Sequence, residues 1–98
     1  MADEPDQKVD EEQLAAALEQ LKVADLLVHS LSTISSLAYH RLAEEHRDLE
    51  QARLAIESLR ALVPVLRGSA SEELVRDFEQ VTANLQLAYA DAVGSGKA

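Results

Sequence analysis

The chain has 98 residues and a formal net charge of −9, from eighteen acidic and nine basic side chains, with no cysteine. That balance repels nucleic acids and anionic membranes, and the lack of thiols excludes disulfides, thiolate nucleophiles, iron–sulfur clusters and Cys-type zinc sites. A chain this short makes one small domain, which folds with little margin.

Residues 1–13, "MADEPDQKVDEEQ", hold six acidic side chains (Asp3, Glu4, Asp6, Asp10, Glu11, Glu12). They read as a solvated, disordered segment that frays into the first helix. A secretory leader needs a basic start and then an apolar run, the reverse of this pattern. No stretch approaches the roughly 18 apolar residues of a membrane span, so a soluble cytoplasmic protein is expected. Beyond this segment, glycine occurs only at 68, 94 and 96 and proline only at 64, and nothing alternates with a period of two. The fold class is therefore all-α.

The first predicted helix covers about 14–45. Leu14, Ala17, Leu21, Ala24, Val28, Leu31, Ser35, Ala38 and Leu42 form one stripe stepping by three and four, and Val23, Leu27, Ile34 and Leu37 form a second beside it. Together they make the segment "LLVHSLSTISSLAY" (26–39) apolar over most of its circumference, as expected of a helix covered on several sides. Its fourteen residues span only about 21 Å, too short for a bilayer. Its five Ser and Thr side chains let helices approach closely and bond back to carbonyls of their own helix.

Asp48 with Gln51 forms a capping box opening a second helix over about 49–66, whose stripe is Leu49, Ala52, Ile56, Leu59, Val63 and Leu66. Pro64 cannot donate to the carbonyl of Arg60, so a kink or an early end is expected near Val63. Arg67 and Gly68 form a helix ending. Ser69 or Ser71 caps a third helix over about 72–93, with the stripe Leu74, Phe78, Val81, Leu85, Ala88 and Ala92. Gly94 is expected to stop it, leaving 94–98 as a flexible tail.

These elements predict a three-helix antiparallel bundle with a long apolar first helix. A continuous helix from Glu11 to Glu45 runs about 52 Å, against about 27 Å for its neighbour. Residues 11–22 must fray, form a separate short helix, or join an apolar surface that packs on a second subunit. The favoured expectation is a homodimer through the first helix, with Leu27, Leu31, Ile34 and Ala38 at the interface.

Two constellations could carry chemistry. Asp25, His29 and Ser32 or Thr33 share a helical face in the order acid, base, nucleophile, but no Gly-rich elbow or set of oxyanion donors accompanies them, and an ordinary Asp–His hydrogen bond explains the pair. His40 and Glu44, with Glu45 and His46 nearby, could hold a metal, although the Glu-x-x-His pairing of di-iron bundles is absent. No phosphate-binding loop, dinucleotide fingerprint or zinc-finger spacing occurs, so no cofactor is expected. Tyr39, Phe78 and Tyr89 are the only aromatics apart from the histidines and read as packing residues.

"DLEQARLAIESLRALV" (48–63) and "LQLAYADA" (85–92) carry a resemblance. The chain resembles a family of small bacterial helical proteins catalogued as domain of unknown function eighteen forty-four. That family has a Ser- and Ala-rich apolar first helix, then Leu-x-x-Ala-x-x-x-Ile-x-x-Leu, matched here by Leu49, Ala52, Ile56 and Leu59. It closes on a Leu-x-x-aromatic helix end. The resemblance covers about 23–93. It departs at "YHRLAEEHRD", where many members carry a Gly- or Pro-containing link. It implies no activity and no catalytic residues; the gene setting of some members implies a translation- or ribosome-associated accessory role. The leading expectation from the residues is a non-enzymatic, self-associating interaction module. Alternatives are a metal-binding bundle using His40 and Glu44, and the accessory role.

Overall fold

The computed structural model describes residues 3–97, with side-chain environments from 11 to 95. Residues 1, 2 and 98, the outer ends of the acidic segment and the tail, lie outside the described residues. The described chain is all-helical, with four α-helices: α1 (Asp3–Gln20), α2 (Val23–Leu42), α3 (Leu49–Leu62) and α4 (Glu72–Lys97). None is long and apolar enough to cross a membrane.

The predicted first helix is thus two helices. Leu21 still donates its N–H to the Ala17 carbonyl, but Lys22 takes an extended backbone (φ −102, ψ 142) and its carbonyl starts α2 by accepting from Asp25 and Leu26. Residues 11–21 are all exposed, so no packing rewards a continuous rod across that point. The acidic segment is helical from Asp3, the start of α1.

Helix α2 ends at Leu42, three residues earlier than expected. Ala43 turns extended, and a 3₁₀ turn over Glu44–His46 follows. The Arg47 guanidinium folds back onto the Leu42 carbonyl (2.8 Å from Nη2), and the Asp48 N–H donates to Arg41 (2.8 Å). A cation thus satisfies the open carbonyl end of α2, and the chain reverses tightly without glycine or proline. Asp48 then caps α3, its side chain accepting from the Gln51 N–H (3.2 Å).

Helix α3 ends at Leu62, where Pro64 ends the α-helical ladder, and Val63–Leu66 continue as a 3₁₀ turn. Gly68 sits at φ +84, the left-handed geometry that lets the chain leave this turn. Ser71 caps α4 by accepting from the Leu74 N–H (3.1 Å). Helix α4 runs past the expected stop at Gly94 to Lys97. The two glycines predict opposite results, because neither has a neighbour within 4 Å of an added Cβ. Gly68→Ala costs about 1–2 kcal/mol from the left-handed backbone alone. Gly94→Ala stabilises by up to about 1 kcal/mol, since its backbone is helical. Urea midpoints at constant m-value check both signs.

Helices α2, α3 and α4 pack on one another, and α1 contacts none of them among the described residues. The core contains Leu31, Ala38 and Leu42 from α2 and Ala52, Ala55, Ile56 and Leu59 from α3. Val63 and Leu66 of the 3₁₀ turn and Val75, Phe78, Leu85 and Ala92 from α4 complete it. The stripe read for the second helix is thus buried except for the partly buried Leu49. Of the third, Phe78, Leu85 and Ala92 are buried, Leu74, Val81 and Ala88 partly so, and Val75 and Thr82 join the core from beside it. The first stripe is buried only from Leu31 onward. Ser35 and Thr82 are buried among them, each donating its hydroxyl to the carbonyl four residues back (2.8 and 2.7 Å), so neither leaves an unpaired polar group.

Candidate functional site

The reactive constellations do not assemble. Asp25, His29, Ser32 and Thr33 are all exposed, and the Thr33 hydroxyl donates to the His29 carbonyl (3.1 Å), a bond internal to the helix. His40 and Glu44 lose their shared helical face because α2 stops between them. The 3₁₀ turn brings His46 onto His40 instead, the rings stacked at 4.3 Å between centroids and 17° between planes. No group of three or more His, Cys, Asp or Glu side chains with metal-holding geometry occurs among the described residues. A cleft of about 430 Å³ where α4 begins carries Arg67 and Arg76, yet Glu72 and Glu79 line it too. Arg67 is paired with Glu79, so the cleft balances its own charge.

The expected interface residues divide into two sets. Leu31 and Ala38 have no exposed surface and belong to the core of their own chain. Leu27 and Ile34 are half-buried at the margin of that core. The physical reason is a rotation: α3 and α4 cover the stripe through Leu31, Ser35 and Ala38 and half-cover Leu27 and Ile34 beside it, leaving the face beyond them uncovered. Val23, Leu26 and Leu37 on that neighbouring face are all exposed, Val23 by 80%.

Helix α3 shows the same imbalance. Ile56, Arg60 and Val63 border clefts shared with Thr82, Ala83, Gln86 and Tyr89, which places α4 on that edge. Leu54, Leu62 and Val65 occupy the opposite edge with Ser58 between them, and Leu54 and Val65 are each 61% exposed. In an antiparallel pair, edges rotated in the same sense from the shared core line face the same way. The free edges of α2 and α3 therefore form one apolar face on the side of the pair away from α4. Sequence reading missed the α3 half, although Leu54, Ser58, Leu62 and Val65 step by 4, 4 and 3. The stronger stripe through Leu59 concealed it.

A third apolar feature lies on α1. Leu14, Leu18 and Leu21 step by four and three and are each at least half exposed. The totals agree with this picture. The chain exposes 7333 Å², against about 5,500 Å² for a compact monomer of 10.7 kDa. Its radius of gyration is 17.7 Å, against about 13 Å for a compact domain of this length. No family model, no curated protein and no solved structure gives a significant match to the chain.

Proposed function

We propose that the chain is a non-enzymatic helical module that self-associates through the free α2–α3 face. The observation that carries this reading is the uncovered apolar face with Leu26, Leu37, Leu54 and Val65 exposed on it. Apolar faces of this extent on small proteins mark interaction sites. The chain exposes about 1,800 Å² more than a compact monomer of its mass, the detached α1 included, an amount of the order that one partner of a stable dimer buries. A two-fold pairing is the simplest closed assembly for such a face. The resemblance to domain of unknown function eighteen forty-four fits a module of packed helices and brings no chemistry with it.

The test is solution mass by light scattering after size exclusion, across a dilution series. A mass near twice 10.7 kDa that holds on dilution is expected. Leu26→Asp combined with Val65→Asp is expected to give a monomer with unchanged helical circular dichroism, because both side chains are more than half exposed. A wild-type monomer at every concentration overturns the reading.

A further inference from the structure

We infer that the occupant of the free α2–α3 face is helix α1 of a second copy, so that the dimer forms by reciprocal exchange of N-terminal arms. The inference rests on the self-association reading and adds the segment that makes the contact. Helix α1 presents Leu14, Leu18 and Leu21 on one stripe and meets no other helix of its chain. The α2–α3 face presents exposed leucines and valines and is met by no helix among the described residues. The last two turns of α1 offer three uncovered leucines and the α2–α3 face offers an uncovered apolar surface, so each supplies what the other lacks.

The hinge makes the contact reciprocal between chains. To lie along its own α2, helix α1 would have to reverse direction and stand 8–10 Å from the α2 axis, the usual spacing of packed helices. Only Leu21 and Lys22 link the two helices; the Leu21 N–H is still held by α1 and the Lys22 carbonyl already serves α2. A two-residue link reaches at most about 7 Å, less than that spacing. The hinge therefore projects α1 away from its own bundle, where a second copy can receive it. A projecting helix and an open face both add to the chain's surface, and a two-fold exchange buries both on both chains. The acidic side chains Glu12 and Glu19 lie on the opposite side of α1 from its leucines, so docking leaves them in water, and Glu11 borders the leucine stripe one turn before Leu14, at its outer end.

A complementation experiment on the full chain tests this. One variant disables the arm (Leu14→Glu with Leu18→Glu); the other disables the face (Leu26→Asp with Val65→Asp). Each alone is expected to weaken self-association about a hundredfold or more while keeping its helical circular dichroism, since none of the four positions is in the core. Mixed in equal amounts, they are expected to form a mixed dimer, because the intact arm of one meets the intact face of the other. Native mass spectrometry with one variant isotopically labelled identifies that species. Wild-type dimers together with an undiminished arm variant overturn the arm exchange and leave self-association standing. The same holds if both variants are monomeric and the mixture stays monomeric. A monomeric wild type overturns both.

Discussion

Leu31→Asp is expected to abolish the fold, whereas Leu26→Asp, five residues earlier on the same helix, leaves it intact. Leu31 has no exposed surface and lies among the core residues contributed by α3 and α4; Leu26 is 54% exposed on the free face. A carboxylate at 31 removes a buried leucine, at about 2–5 kcal/mol, and places an unpaired charge where water cannot reach it, at several more. A domain this small has about 5 kcal/mol or little more to lose. Far-ultraviolet circular dichroism of Leu31→Asp should show a largely unfolded chain at 25 °C. The Leu26→Asp spectrum should match wild type, with any change confined to the association constant. Equal unfolding by both would mean that the free face is covered within the chain itself. A folded Leu31→Asp would displace the core from the stripe through Leu31, Ser35 and Ala38.

That contrast also marks how far the sequence could be read. Helix identity, the core stripe of α3 and half of that of α4 followed from period and caps, because single residues decide the boundaries: Asp48 and Ser71 at the starts, Pro64 and Gly68 at a break. Helix α2 resisted because it carries two apolar stripes side by side. Period alone cannot say which one faces α3 and α4; burial of Leu31 and Ala38 in the core of their own chain decides it. The break at Lys22 was equally hidden. No glycine or proline marks it, and the apolar stripe runs through it unbroken from Leu14 to Leu42. The deciding quantity there is tertiary: helices α3 and α4 are too short to reward a rod of that length. His40 and Glu44 show the same limit at the other end of α2. Their four-residue spacing has meaning only within a helix, and Arg47 caps the carbonyl end of α2 at Leu42 before Glu44 is reached.

Phe78→Ala is expected to lower the melting temperature by about 15–30 °C, and the loss should be shared by every residue of the three packed helices. Phe78 is the only phenylalanine and is almost fully buried on α4, the helix that closes the core from one side of the α2–α3 pair. Phenylalanine-to-alanine changes in cores cost about 3–5 kcal/mol, and each kcal/mol is worth about 4–8 °C in a domain of this size. Two helices without α4 bury apolar surface along one seam only, so Leu31 and Leu59 become partly wet once α4 loosens. Native-state hydrogen exchange should therefore show α2, α3 and α4 losing protection together, by similar free energies. Residues 11–20 of α1, which meet no other helix of the chain, should exchange near the unprotected rate in monomeric protein, wild type or variant alike. Phe78→Leu, which keeps most of the volume, should cost under about 1.5 kcal/mol. If Phe78→Ala melts within a few degrees of wild type, α4 is not what seals the core. The α2–α3 pair would then have to draw its stability from the face opposite, where the arm of a second copy is placed.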